Sequence, residues 1–132
     1  MSWSRLPAAE LAVLEILWRV GQATIRQLTD ELYPGGSTSD YATVQKLIER
    51  LEGKGGVWRD RSGFAHQFCP AVERSEVLDQ QLRDVAERLC EGSLTPLLMH
   101  LVQGARLSKG DRDQLRQLLD QPAPRSKRKP NL

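Results

Sequence analysis

The segment from residue 40 to residue 52 constrains the fold of this chain more than any other. Four apolar residues stand at positions i, i+3, i+4 and i+7, which places them on one face of a helix: Val44, Leu47, Ile48 and Leu51. The opposite face is polar, and Gly53 begins a glycine-rich stretch that ends the pattern. The sequence therefore predicts a helix with one buried face, which begins at Ser39 or Asp40, since either side chain can cap it.

Two shorter helices are predicted ahead of this one. Pro7 suits the first turn of a helix and Gly21 suits its end, and a broad apolar stripe lies between them. Thr24 and Gln27 have the spacing of a capping box at the start of the second helix, which should run to about Tyr33. The apolar residues expected to face inward from these two helices are Leu11, Leu14, Ile16, Leu17, Trp18, Ile25, Leu28 and Leu32.

Two short extended segments follow the glycine-rich stretch. Aromatic and β-branched residues at 57–60 and 64–69 surround a glycine-containing turn at 61–63, which is the pattern of a β-hairpin. Three helices followed by a hairpin is the order of a winged helix-turn-helix domain, so residues 5–70 are expected to form one mainly helical module of this kind. Trp58 is expected to lie in its core.

Pro70 begins a region with a different pattern. Apolar residues recur there at alternating steps of four and three, and two further apolar helices follow, the last with Ser108 as its cap. Residues 71–120 are too few to fold well alone, so we expect a helical dimerisation domain that buries its apolar face against an identical copy. The residues expected to form that interface are Leu78, Leu82, Val85, Leu89, Leu97, Leu98, Leu101, Leu115 and Leu118. Residues 121–132, which are rich in proline and basic residues, are expected to be a disordered basic tail.

The composition excludes several classes of protein. The chain has 132 residues and a formal charge of +2, and no apolar stretch approaches the ~20 residues of a membrane-spanning helix. A secretory signal is not recognisable, so we expect a cytoplasmic protein without membrane insertion. Cys69 and Cys90 stand far apart, and neither they nor His66 and His100 have the spacing of metal ligands. No metal and no other cofactor is expected.

The exposed face of the third helix carries the residue types of a DNA-reading surface. A helix fits the major groove of DNA, and polar side chains near its N-terminal end reach base edges. Gln45 can make a two-pronged contact to adenine, Lys46 can donate to guanine or phosphate, and Arg50 suits phosphate. Glu49 on the same face repels phosphate, unless it accepts from a cytosine amine or pairs with Arg50. The residues predicted to reach bases are Tyr41, Ala42, Thr43, Gln45 and Lys46.

Two other regions offer candidate contacts to the DNA backbone. The predicted hairpin contributes Arg59, Arg61 and His66, which would position the protein without reading sequence. Thr24 and Arg26 stand at the start of the second helix, where free N–H groups attract anions. Trp3, ahead of the first helix, is expected either to be loose or to meet the flank of the DNA. The alternative is that all these polar residues form ordinary solvated surfaces.

The order of these segments resembles the penicillinase repressor family of the BlaI/MecI/CopY type. The resemblance is carried by LPAAELAVLEILWRVGQATIRQLTDEL, by ATVQKLIERLEGKG, by FAHQFCP in the hairpin, and by LTPLLMHLVQGARLS and QLRQLL near the C-terminus. It covers nearly all of residues 5–120. It implies a homodimeric repressor that binds palindromic operators in double-stranded DNA with its winged helices and dimerises through its C-terminal helices.

The chain departs from both well-known branches of that family. In one branch a membrane sensor protease detects a β-lactam and the repressor is cleaved, whereas in the copper branch a cysteine-rich C-terminal motif provides the switch. No cysteine cluster is present near the C-terminus here. The pair His100-Leu101 stands where the β-lactam branch has an asparagine–phenylalanine cleavage bond. A sensor protease as partner is therefore an open expectation, while the expected binding to DNA is unaffected.

Other kinds of function have less support from the residues. No Ser/His/Asp arrangement, phosphate-binding glycine loop or pair of carboxylates predicts an enzyme. A winged helix used only for protein–protein contact is the main alternative, because basic and acidic residues cancel over residues 1–70. A regulator that responds to a small molecule is a third possibility, although the predicted dimerisation helices offer no obvious polar pocket.

Overall fold

The computed structural model describes residues 3–122 of the chain. Within them, three helices are followed by a two-stranded antiparallel sheet and three more helices. The elements are α1 (Ala8–Val20), α2 (Ile25–Leu32), α3 (Thr38–Lys54), β1 (Val57–Asp60), β2 (Gln67–Pro70), α4 (Arg74–Leu89), α5 (Thr95–Gly104) and α6 (Lys109–Asp120). The fold is mainly helical, and its first five elements have the predicted order of a winged helix-turn-helix.

Capping side chains set where α2 and α3 begin. The Thr24 hydroxyl accepts a hydrogen bond from the N–H of Gln27 at 3.1 Å, and the Gln27 side chain accepts from the N–H of Thr24 at 2.9 Å, which confirms the predicted capping box. The predicted start of α3 was wrong, because Ser37 is its cap. Asp40 instead occupies the third helical position, where its carboxylate accepts from the N–H of Ser37 at 2.9 Å.

The hydrophobic core lies where α1, α2 and α3 meet the hairpin. The predicted buried face of α3 is confirmed, since its four apolar residues are all buried. The fully buried residues around them include Val13, Leu14, Leu17, Leu28, Val57 and Phe68. The ion pair between Lys54 Nζ and Glu10 Oε1, at 2.5 Å, ties the last turn of α3 to the first turn of α1. The core therefore fixes α3 with its polar face turned outwards.

The hairpin is shorter than predicted on its second strand. β1 has the predicted bounds, but β2 begins at Gln67, and residues 61–66 form the connecting loop. Phe68 explains this boundary, because its backbone N–H and C=O exchange hydrogen bonds with Ala23 at 2.8 and 3.1 Å and its ring is buried. Phe64 has no such anchor, and its side chain is fully exposed. The prediction that the strand begins at Phe64 was therefore wrong.

The three tryptophans are placed differently from what their sequence context suggested. Trp18 is half-buried, as expected of a core neighbour, and its indole N–H donates to the carbonyl of Val72 at 2.8 Å. Trp58 is 52% exposed, because strand alternation turns it outwards when Val57 faces the core. Trp3 is buried at 5% exposure, so it is neither loose nor available to flanking DNA. The predictions for Trp3 and Trp58 were wrong.

Two compact units divide the chain. The first spans Met1–Gly92 and includes α4 as well as the winged helix, so in a single chain the compact unit extends beyond the expected boundary at residue 70. Val77 and Ala86 are the buried residues of α4. The second unit begins at Ser93 and contains α5 and α6, which have no buried residue among those described. Ser108 caps α6 as predicted. The expected disordered tail lies almost wholly outside the described residues.

Candidate nucleic-acid interface

An open groove runs between the start of α2, the first half of α3 and the hairpin. Its volume is about 380 Å³. It brings together six of the eleven residues that the sequence predicts as DNA contacts: Thr24, Arg26, Tyr41, Gln45, Arg59 and His66. The other four lining residues are Ile25, Phe64, Ala65 and Phe68. Elements far apart in the chain therefore meet at one surface, which combines polar, basic and aromatic groups.

The remaining predicted contacts lie on exposed surface outside this groove. Ala42, Thr43, Lys46 and Arg50 are all exposed on α3, opposite the buried face. Thr43 donates its hydroxyl to the carbonyl of Ser39 at 3.1 Å, which leaves its methyl group as the part free to meet a base. The structure thus presents the N-terminal half of α3 as a solvent-facing surface of mixed polar and apolar groups.

Tyr41 and Arg26 link the two helices at the mouth of the groove. The Arg26 guanidinium lies 5.8 Å from the centre of the Tyr41 ring, within the range of a cation–π contact. Thr24 next to it uses its hydroxyl as the acceptor of the capping hydrogen bond from Gln27. Arg26 therefore supplies positive charge at the start of α2, and Thr24 primarily holds the helix end in place.

Arg59 is engaged by several neighbours. Its Nε and Nη2 donate to the two carboxylate oxygens of Glu52 at 3.1 and 3.0 Å, and its guanidinium lies 4.8 Å from the centre of the Phe68 ring. This two-pronged pair neutralises the charge and braces β1 against α3. Arg59 is therefore less free to bind phosphate than the sequence suggested.

His66 completes the side of the groove formed by the hairpin. Its Nδ1 lies 3.3 Å from Nη1 of Arg59. An arginine can only donate, so this contact is a hydrogen bond in the tautomer that leaves Nδ1 free to accept and carries the proton on Nε2. His66 is exposed. In that tautomer the Nε2–H is a donor that suits a phosphate oxygen or a base acceptor.

The loop between the strands carries charges of both signs. Asp60 accepts a hydrogen bond from the N–H of Ser62 at 2.9 Å. Hydrogen bonds from the Ser62 side chain and backbone lower the pKa of Asp60, so its carboxylate stays ionised. Arg61 beside it is exposed and has no ion pair among the described residues. Arg61 is consequently the basic residue of the hairpin with its charge available to a ligand.

Glu49 faces solvent on the same side of α3 as Lys46. No salt bridge joins it to Arg50 among the described residues, although the two are neighbours in sequence. Its negative charge therefore lies uncompensated beside the reading surface. A polyanion at this surface would meet an attractive Lys46 and a repulsive Glu49 on one helix.

Phe64 is a groove residue that the sequence did not identify. The interpretation of residues 64–69 as a strand assigned Phe64 a place in the hairpin and no role at the surface. The signal that could have found it is the glycine before it, because Gly63 marks a turn in which an aromatic residue has no core to face.

Comparison with known proteins identifies the family of this chain. The penicillinase repressor family model matches residues 6–121. A penicillinase repressor from Bacillus licheniformis is 24% identical over 119 residues, covering 90% of this chain and 92% of that protein. A transcriptional regulator BlaI from Mycobacterium tuberculosis is 31% identical over 118 residues, covering 88% and 83%. The solution structure of the DNA binding domain of the repressor BlaI superimposes with a TM-score of 0.47 at 23% identity, covering 58% of this chain and 93% of that one. The chain belongs to the penicillinase repressor family.

Proposed function

We propose that this chain is a homodimeric transcriptional repressor that binds a palindromic operator with α3 in the major groove. The observation that carries the proposal is the surface formed by α3 and the groove. Gln45, Tyr41 and Arg26 come together there beside the β1–β2 hairpin, which is the wing of the domain. Family membership supports it, because relatives that align over most of the chain are named as repressors and transcriptional regulators.

Contacts to bases come from the first two turns of α3. Gln45 is exposed there and can hold the N6 and N7 atoms of adenine, while Lys46 donates to guanine or to phosphate. Ala42 and the methyl group of Thr43 suit the methyl group of thymine. Arg26, Arg50 and Arg61 hold the backbone on either side. This division of roles gives sequence reading to α3 and positioning to its neighbours.

Dimerisation follows from the apolar surface that α4, α5 and α6 leave exposed in a single chain. Leu89 is 76% exposed, and Leu78, Leu98, Leu101 and Leu118 are also exposed. The other predicted interface residues are half-buried: Leu82, Val85, Leu97 and Leu115. Repeated leucines at helical spacing on three successive helices fit a second copy of the same helices, which would bury them in a symmetric interface.

The distribution of charge also supports pairing of two copies. Basic and acidic residues cancel over residues 1–70, and Glu49 stands next to the reading surface, so one copy binds DNA weakly. Two linked copies engage two half-sites at once, which raises the affinity without any new contact. Half-sites one helical turn apart, about 34 Å, or a multiple of it, are the spacing that such dimers prefer.

A sensor protease that cuts the chain within α5 would end repression. His100 and Leu101, which align with the cleavage bond of the β-lactam branch, are exposed within α5. A helical backbone must open locally before a protease can cut it. Cleavage at His100-Leu101 would therefore require that α5 unfolds locally. It would then remove part of the dimer interface that holds the two winged-helix domains together.

An electrophoretic mobility-shift titration against the DNA upstream of the protein's own gene tests the proposal. A salt-dependent shift with two chains per duplex supports it. The matched variants are Lys46→Glu on the reading face and Lys109→Glu at the start of α6, which make the same charge change at different places. Lys46→Glu should abolish the shift, whereas Lys109→Glu should leave it intact.

The protein-contact alternative rests on the balanced charge of residues 1–70. It predicts that no shift occurs even at low salt, and that Lys46→Glu behaves like the unchanged chain. A shift that both variants weaken equally would indicate nonspecific attraction and would contradict α3 as the reading helix.

A further inference from the structure

Phe64 is the most exposed large apolar residue of the described chain. Its relative exposure is 110%, so its ring has no contact with the core and adds nothing to folding stability. It lies in the loop between β1 and β2, four residues before Phe68, whose ring is buried. The fold does not need an apolar ring at this place. A role for Phe64 would therefore come from a contact with another molecule.

The position of Phe64 relative to α3 limits what that contact is. Phe64 lines the same groove as Tyr41 and Gln45, so it forms the wing side of the surface whose other side is the reading helix. A DNA strand that lies between α3 and the hairpin passes directly along Phe64. If α3 lies in the major groove, a strand between α3 and the hairpin is the sugar–phosphate backbone that separates this groove from the next minor groove, so the loop with Phe64 would lie at the minor-groove edge.

The charges around Phe64 favour a polyanion as the occupant of this groove. Arg26 lines it from α2, the exposed His66 lines it from the hairpin, and Arg61 is exposed at the other end of the loop. A phenyl ring cannot pair with phosphate. It matches the apolar parts of the nucleotide, which are the deoxyribose rings and the base edges that face the minor groove.

We infer that Phe64 is an apolar DNA contact of the wing, which packs against deoxyribose at the minor-groove edge while Arg26 and Arg61 bind the adjoining phosphates. This inference rests on the proposed function and deepens it. A contact of this kind releases no counterions, so its contribution to affinity is independent of salt. An arginine contact in the same wing changes the salt dependence instead.

The test is a fluorescence-anisotropy titration of the full chain with a labelled duplex from the DNA upstream of its own gene, repeated over a series of salt concentrations. Phe64→Ser should weaken binding by about fivefold at every salt concentration and leave the slope of log K against log salt unchanged. Phe64→Leu keeps an apolar contact, so the logarithm of its binding constant should fall by less than about half as much as that of Phe64→Ser. Arg61→Gln removes one phosphate contact from each of the two bound chains and should reduce the slope by about two.

Trp58→Ser is the matched control, because Trp58 is an exposed aromatic residue of β1 that does not line the groove. The Trp58→Ser variant should bind the duplex with the affinity and the salt dependence of the unchanged chain. Unchanged affinity in Phe64→Ser, or an equal loss in Trp58→Ser, would overturn the role of Phe64 while leaving the repressor proposal intact. If the unchanged chain fails to bind the duplex at any salt concentration, the proposed function falls, and this inference falls with it.

Discussion

Replacing Gly56 by alanine tests how the N-terminal segment ties α4 to the winged-helix core. A Cβ at Gly56 would lie 2.8 Å from Cη2 of Trp3 and 3.3 Å from Cδ2 of Leu51. Trp3 also holds α4, because its backbone N–H donates to the Gln80 side chain and its carbonyl accepts from Gln81. The new methyl group must therefore displace the indole ring and loosen the attachment of α4.

The loss of folding stability caused by Gly56→Ala has an upper limit, because the chain can relieve the clash by releasing its N-terminal segment. Burial of ~200 Å² of indole at ~25 cal/mol/Å² is worth about 5 kcal/mol. Release returns conformational entropy of about 1 kcal/mol for each of two or three residues. Trp3→Ala should therefore lower the free energy of unfolding by roughly 2–3 kcal/mol, and Gly56→Ala by roughly 1–2 kcal/mol.

Urea unfolding of the full chain, followed by far-UV circular dichroism at one fixed chain concentration, measures both values. In the Trp3→Ala background, Gly56→Ala should cost less than about 0.5 kcal/mol, because only Leu51 remains close to the new methyl group. Gly53→Ala is the matched control, since a Cβ at that position meets nothing within 4 Å. Fully additive losses in the double variant would refute the contact between Gly56 and Trp3.

Three further predictions concern individual contacts of the reading face, the core and the dimer interface. Gln45→Ala should weaken operator binding by about 1–3 kcal/mol for each half-site and relax base preference at the same position in both half-sites, measured by titration against operator variants. Lys54→Met should lower the free energy of unfolding in urea by about 3 kcal/mol, because Glu10, which is 2% exposed, loses the partner of its buried charge. Replacing Leu82 and Leu89 by glutamate should give a folded monomer in sedimentation velocity that binds DNA poorly.

Each of these predictions has an outcome that contradicts it. Unchanged affinity and base preference in Gln45→Ala would remove Gln45 from the reading face. If Lys54→Met unfolds at the same urea concentration as the unchanged chain, the ion pair with Glu10 does not support the core. A dimer that survives both leucine substitutions would show that α4 is not the interface.

The part of the fold that sequence alone predicts is the part fixed by neighbours along the chain. The capping box of Thr24 and Gln27 and the buried face of α3 follow from spacings of three and four residues, and both are confirmed. The start of α3 shows the limit of local reasoning. Ser37 and Asp40 are also three residues apart, but several polar residues there can cap a helix, and only the geometry selects Ser37.

The errors concern residues whose environment is set by distant parts of the chain. Trp3 is buried because Gly56 and α4, far along the sequence, enclose it. Trp58 and Phe64 are exposed because Phe68 is the aromatic residue of the hairpin that bonds to Ala23 and enters the core. The sequence placed Trp58 in the core and Trp3 outside it, and the contacts that decide the burial of both residues are not local.

The sequence predicted which residues of the candidate site are exposed better than it predicted which of them are free to bind a ligand. The exposed face of α3 follows directly from the buried one, so the exposure of Gln45 and Lys46 was predictable from periodicity. Arg59 looked equivalent to Arg61 in sequence, yet the pair with Glu52 engages Arg59 and leaves Arg61 exposed. Glu52 lies on α3, and nothing near Arg59 in the sequence marks it as the partner.

Selection of bound duplexes from a random-sequence pool by the full-length chain tests the central claim most directly. The account predicts an enriched inverted repeat, with half-site centres separated by about 10 base pairs or a multiple of it, and two chains on each selected duplex. Changing Gln45 to alanine should alter the preferred base at the same position in both half-sites. An enriched motif without two-fold symmetry, bound by one chain, or no enrichment at all, would contradict a dimer that reads DNA with α3.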